Sequence, residues 1–150
     1  MRLLIQKVIE AKVLVSDEIV GEIDKGLLIF QGVEDFDDDD DINWLVNKVL
    51  NLRVFNDLNN VMNLSVKDVD GKVLVVSQFT LMASIKKGNR PSYMKASGQE
   101  HAKLMYEKFI TELNISLGKP IESGVFRAEM KVKLINDGPI TIWMDSKNKQ

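Results

Sequence analysis

The sequence has no cysteine, a single histidine and three prolines in 150 residues, and each shortage narrows the available chemistry. Without cysteine there is no disulfide, no thiolate nucleophile and no sulfur-ligated metal, so a reduced, cytoplasmic setting is expected. One histidine rules out histidine-rich metal sites. A Ser-His-Asp arrangement would have to use His101, which falls in the first turn of a predicted helix and is expected to be exposed. Long apolar runs are missing too: Met1 to Lys7 has no signal-like core, and no later stretch reaches the roughly 20 residues that span a bilayer. Neither a Walker A loop nor a G-x-G-x-x-G turn is present. No cofactor and no bound metal are therefore expected. Charge is nearly balanced, with 20 basic and 22 acidic residues and a net charge of −2, so contact with a polyanion would need a local basic patch rather than an overall field.

What is present is a chain that is 45% hydrophobic, enough for one compact core. A single domain over residues 1–145 with a polar tail at 146–150 is expected. Leu3 to Val15 is rich in β-branched residues and stops at Ser16-Asp17-Glu18, and Ile19 to Ile23 pairs naturally behind it as a hairpin. A third strand, Leu27 to Val33, follows Asp24-Lys25-Gly26. The acidic run Glu34 to Asp41 lacks the spacing of a calcium loop; its carboxylates suit a helix N-terminus, where the macrodipole favours negative charge. Ile42, Leu45, Val46, Val49 and Leu52 then recur at helical spacing, predicting a helix over about 39–52.

Arg53-Val54-Phe55 and Val61 to Ser65 read as short extended pieces around a turn, and Asp70-Gly71 as a tight turn. Ser97-Gly98-Gln99-Glu100 has the form of a capping box, and Ala102, Met105, Tyr106, Phe109 and Leu113 continue it on one face, predicting a second helix over about 98–115. Ile121 to Phe126 reads as a short extended segment and Met130 to Ile135 as a half-buried strand. The order is three strands, helix, strands, helix, strands, a mixed α/β (α+β) class.

Three stretches could carry chemistry. Val73 to Val76 is wholly apolar, as for a central strand covered on both faces, and it runs into Ser77, Gln78 and Thr80. Polar groups at the end of a rigid strand must find partners or cost about 1–3 kcal/mol each. Asn136-Asp137-Gly138-Pro139-Ile140-Thr141 interrupts a strand pattern with a Gly-Pro pair, either as a bulge or as a turn presenting backbone carbonyls to a cationic group. Lys86-Lys87-Gly88-Asn89-Arg90-Pro91 is the main cationic patch, read as a mobile loop suited to phosphate contact or simply to solvent. With no base available beside these groups, an enzyme built from this chain works by positioning and by backbone donors.

Over essentially its whole length the sequence resembles the D-aminoacyl-tRNA deacylase family. The carriers are Ser77-Gln78-Phe79-Thr80-Leu81 and Asn136 to Thr141, supported by Met1 to Val8, Gly26-Leu27-Leu28, Asn51 to Phe55, Met62 to Ser65 and Arg90-Pro91-Ser92. The resemblance implies largely antiparallel sheets forming a barrel-like core flanked by two main helices, in a homodimer with its sites at the interface. It implies hydrolysis of the ester joining a D-amino acid to the tRNA 3′-terminal adenosine, with glycyl-tRNA as a further substrate and L-aminoacyl-tRNA rejected. Ser77, Gln78, Phe79 and Thr80 would surround the scissile carbonyl. Gly138 and Pro139, joined by a cis bond and inserted from the partner subunit, would receive the substrate ammonium, with Lys7, Met130 and Asn136 as further binding residues. Lys86, Lys87 and Arg90 are candidate tRNA contacts.

Two positions depart from the family pattern: Lys7 stands where an arginine is usual, and Arg127 where a small residue is usual. Lysine keeps the charge but loses the planar fork, so chiral strictness is expected to be looser. Ser77-Gln78-Phe79-Thr80-Leu81 separates the chain from a related subgroup with P-Q-A-T-L there. The competing reading is a non-catalytic nucleic-acid-binding module on the same dimeric scaffold, using the Lys86 to Arg90 loop.

Overall fold

The computed structural model describes residues 1–149. Its backbone is a mixed sheet wrapped into a nearly closed barrel, with two helices packed outside. Strand β1 (Arg2–Val15) organises the sheet: one edge pairs antiparallel with β3 (Gly26–Gly32) and then with β2 (Glu18–Ile23), and the other pairs along its length with β8 (Lys131–Asp145). Strand β6 (Lys72–Ser77) lies parallel to β3, and the short β7 (Glu122–Ser123) parallel to β6. The two ends of the sheet meet at Gly21, where an added Cβ would sit 2.7 Å from the Ser123 carbonyl oxygen, so only a glycine allows this approach. A separate two-stranded piece joins β4 (Phe55–Asn56) to β5 (Met62–Leu64).

Both faces of the sheet are covered, as the uninterrupted apolar text of β6 requires; Val73, Leu74, Val75 and Val76 are all buried. On one face Val73 and Val75 join Leu3, Ile5, Leu27 and Ile29 against the helices α1 (Asp39–Asn51) and α2 (Gln99–Leu117). On the other, Leu74 and Val76 pack with Val8, Ala11, Val13 and Leu28, and Met130, with Val132 and Leu134 of the first half of β8, closes over them. Helix α1 starts where the acidic run predicts. Asp38 caps it and Asp41 closes the capping box, which satisfies N–H groups that would otherwise lack partners.

Two expectations need correction. Helix α2 is capped by Gly98 with no side-chain bond, because Ser97 is held one residue outside it by its N–H donating to the Val33 carbonyl at 2.9 Å, so the predicted capping box does not form. His101 is half-buried rather than exposed, with Nε2 3.1 Å from the Asp37 carbonyl oxygen, since the loop before α1 packs on the start of α2. The central strand stops at Ser77, and the chain turns at once into a 3-10 segment, Phe79–Met82. Of the two readings of Asn136 to Thr141, the bulge holds: β8 runs through it, and the excursion is absorbed by register shifts opposite Gln6 to Glu10 of β1. Of the expected tail, Ser146 is buried, its N–H bonded to the Met1 carbonyl, while Gln150 lies outside the described residues.

Candidate active site

A cavity of about 500 Å³ opens at the C-terminal end of β6, a size ordinary for a small-molecule site. Ser77, Gln78 and Phe79 form one side of it. Met130, just before β8, and Val132 of β8 face them, and Tyr106, Phe126 and Ala102 form the apolar wall. The two wall rings sit 5.8 Å apart at 38°, a tilted pair packed directly against each other.

The position of Gln78 follows from the sheet. Its N–H continues the β3–β6 ladder by donating to the Gln31 carbonyl at 2.6 Å, after which the backbone leaves the sheet. In the 3-10 segment the N–H of Leu81 returns to the Gln78 carbonyl, so the N–H groups of Phe79 and Thr80 precede the first available acceptor. No backbone partner for either is found among the described residues. The Gln78 side-chain amide donates to the Thr80 hydroxyl, which leaves that hydroxyl's own proton free to be donated. Arg2 anchors the far end of the segment by donating to the Leu81 carbonyl at 3.0 Å.

The cavity contains no general base. Its titratable side chains among the described residues are Arg127 and Tyr106. Burial pushes the Tyr106 phenol up to about 12, against a smaller opposing effect from a hydrogen bond with Ser123, and its hydroxyl donates to the Val75 carbonyl at 2.9 Å. That phenol stays protonated at any working pH. Arg127 holds a left-handed backbone conformation, φ 66°, and its guanidinium donates to Gln99 at 2.6 Å, so it borders the cavity as a fixed cation.

The second motif lies apart from this cavity in the same chain. Gly138 and Pro139 are exposed, joined by a cis peptide bond, and line none of it. The excursion is nonetheless firmly held. The Asn136 side-chain amide donates to the Lys7 carbonyl at 3.0 Å and to the Ile140 carbonyl at 2.8 Å, bracing the loop from β1 across to its own far end. Lys7, only 6% exposed, places its ammonium 3.1 Å from the Asp137 carboxylate. The predicted residues thus form two groups: Ser77, Gln78, Phe79 and Met130 on the cavity with Thr80 beside Gln78, and Lys7, Asn136, Gly138 and Pro139 around the β8 excursion.

Lys86, Lys87 and Arg90 belong to neither group. They are exposed on a loop pinned at its base by paired Ser84–Ser92 bonds of 2.8 and 2.9 Å. The loop is tied to the cavity mouth by Tyr93, whose ring meets Phe79 edge-on at 5.0 Å. The sequence reading missed Gln31, Ser97, Tyr106 and Phe126 as cavity residues. One signal was available: Gln31 is the one uncharged polar side chain in the otherwise apolar text of Gly26–Gly32, directly before the strand ends.

A model of the D-Tyr-tRNA(Tyr) deacylase family matches residues 4–145. The chain is 57% identical over 150 residues to the D-aminoacyl-tRNA deacylase of Flavobacterium psychrophilum and 54% identical to that of Flavobacterium johnsoniae, in each case covering 100% of both chains. Among solved structures it is similar to one titled c-Myc DNA Unwinding Element Binding Protein, with a TM-score of 0.92, 35% identity, and 97% of this chain and 98% of that one covered. A probable eukaryotic D-amino acid tRNA deacylase shares the fold alone, at TM-score 0.81 and 17% identity over 95% and 97% of the two chains. These matches define a hydrolase acting on the ester bond of an aminoacyl-tRNA. The chain belongs to the D-aminoacyl-tRNA deacylase family. Its substrate partner is tRNA, and no helix among the described residues is long and apolar enough to cross a membrane.

Proposed function

We propose that this chain, acting as one deacylase domain over residues 1–145, removes D-amino acids and glycine from tRNA in the cytoplasm and spares L-aminoacyl-tRNA. The observation that carries this reading is the set of unengaged N–H groups at Phe79 and Thr80, at the mouth of a cavity without a base. The terminal adenosine lies in the cavity against its apolar wall at Phe126 and Ala102, and its ester carbonyl lies against those N–H groups. They stabilise the developing oxyanion, at about 3 kcal/mol per donor. The nucleophile is water, assisted by the terminal ribose 2′-OH. Thr80 would need a base to attack directly, and its hydroxyl is engaged by Gln78. Thr80→Ala should therefore keep kcat within about tenfold of wild type; a loss near the 10⁴-fold or greater typical of a deleted nucleophile would assign the attack to Thr80.

Handedness requires the second motif. Gly138 and Pro139 are exposed and away from the cavity of their own chain, so a second copy supplies them in a homodimer whose site is built at the interface. Their carbonyls accept the substrate ammonium through charge-assisted bonds, Asn136 and Lys7 hold the excursion, and Met130 bounds the opposite side. With the amine fixed, an L-side chain would run into the main chain, a clash rather than a weaker attraction. Glycine has nothing to reject. Lys86, Lys87 and Arg90 contact the acceptor-stem phosphates.

The test is turnover. Catalytic amounts incubated with D-tyrosyl-, L-tyrosyl- and glycyl-tRNA should release the first and third and leave the second charged. Equal loss of both enantiomers would contradict the chiral reading. The name of the 35%-identical structure refers to binding at DNA, which favours one other reading, a non-catalytic nucleic-acid module using the basic loop. Stoichiometric binding with no ester loss would support it.

A further inference from the structure

Among the described residues, two buried side-chain polar atoms have no hydrogen-bond partner, Gln31 Oε1 and Ser97 Oγ, and both residues line the cavity. Buried polar atoms are nearly always paired, so two orphans on one cavity call for a ligand that pairs them. Gln31 is 2% exposed, and its amide nitrogen is turned toward the Met1 sulfur at 3.1 Å, a weak acceptor that nevertheless leaves Oε1 as the free group. Its backbone stands in register with Ser77 and accepts the Gln78 N–H, so the side chain is fixed relative to the reactive end of β6. Ser97 is fixed likewise by its N–H bond to Val33.

We infer that Gln31 and Ser97 read the amine-bearing edge of the terminal adenine, and are specificity-determining residues of the deacylation. This rests on the placement of adenosine proposed above. Adenine presents an exocyclic N–H donor beside a ring-nitrogen acceptor; an amide oxygen and a hydroxyl are the complementary acceptor and donor. Unstacked RNA bases are commonly held in this way, against aromatic rings and by hydrogen bonds to one edge. A site built to pair a substrate N–H discriminates against an analogue lacking it, because its own acceptor is then left bare.

The experiment uses full-length enzyme and two non-hydrolysable probes: the 3′-amide analogue of D-tyrosyl-adenosine and the same compound built on purine riboside, which lacks the exocyclic amine. Wild type should bind the adenosine probe about tenfold more tightly, the effect of one net hydrogen bond. Gln31→Leu should bind both probes equally, raise KM for D-tyrosyl-tRNA about tenfold with kcat kept, and show a Tm no lower than wild type, since it removes an unpaired buried acceptor. Ser97→Ala should weaken both probes alike and keep the preference, because the ring nitrogen that its hydroxyl pairs is present in each. If Gln31→Leu fails to fold, Gln31→Met carries the same readouts. A wild type indifferent to the amine, or a Gln31 variant that keeps the tenfold preference, overturns the inference while D-tyrosyl-tRNA turnover leaves the deacylase reading intact. Loss of that turnover in wild type would instead sink the reading on which the inference depends.

Discussion

The end of β6 and the middle of β8 carry the two motifs, and the fold treats them in opposite ways. Around Ser77 to Phe79 the chain is complete: the strand behind is buried on both faces, the carbonyl of Gln31 fixes the last ladder bond, and Ser77, Gln78 and Phe79 line a cavity. Around Gly138-Pro139 the chain is equally well held, by Asn136 and Lys7, yet it is exposed and lines no part of that cavity. Rigid bracing of an exposed turn makes functional sense when its partner is elsewhere. On the proposed function, this difference means that one protomer provides two half-sites, and that the bracing of β8 serves recognition rather than the stability of its own core.

The largest expected effect comes from attacking the β6 half. Phe79→Pro deletes one proposed oxyanion donor, and the backbone of Gln78, at φ −145° and ψ 81°, lies outside the helical region that a following proline disfavours. Deacylation of D-tyrosyl-tRNA should fall about 100- to 1000-fold in kcat, whereas Phe79→Leu, which keeps the N–H, should fall far less. Equal losses in the two variants would assign the effect to the ring. Next comes the β8 half. Gly138 sits at φ 115°, and an added Cβ would lie 2.8 Å from the Ile140 side chain, so Gly138→Ala must shift the turn. A displacement near 1 Å costs about 100-fold in single-turnover rate, with far-UV circular dichroism unchanged.

A smaller change should follow at Lys7. Lys7→Met removes the ammonium beside Asp137, loosening the excursion; we expect about a tenfold loss against the D-substrate and a reduced ratio of D to L hydrolysis, with Lys7→Arg restoring the ratio. An unchanged ratio in both variants would show that the side-chain bonds of Asn136 brace the turn unaided.

The smallest effect lies outside both halves and serves as their control. Burial alone would raise the Asp41 carboxyl, but hydrogen bonds from Lys147 and Ser146 and from the Asp38 N–H outweigh it and hold the pKa at about 2. The folded value lies below the unfolded one, so this stabilisation is full above about pH 4 and is lost as pH falls through about 2. Urea midpoints across that window should drop in wild type and flatten in Asp41→Asn, with deacylation near neutral pH unaffected.

Much of this architecture was legible because the sequence states it locally. The apolar run of Val73 to Val76 announces a doubly covered strand, and the spacing of Ile42, Leu45, Val46 and Val49 announces α1. What escaped was decided over distance. Ser97 reads as a helix cap until the Val33 carbonyl draws it outward, and His101 reads as exposed until the loop at Asp37 closes over it. The site divided in the same way. The Ser77 to Thr80 and Gly138-Pro139 motifs are visible as text, whereas the cavity wall of Tyr106 and Phe126 exists only once α2 and the segment before β8 fold against the end of β6.

The claim that each site is shared between two copies is tested most directly by mixing. Phe79→Pro and Gly138→Ala, each nearly inactive alone, are co-refolded in equal amounts and assayed on D-tyrosyl-tRNA. If the halves come from different protomers, random pairing rebuilds one intact site in half of the dimers, and about a quarter of wild-type activity should return. A mixed preparation that assembles as dimers yet stays as inactive as its parents would contradict the account.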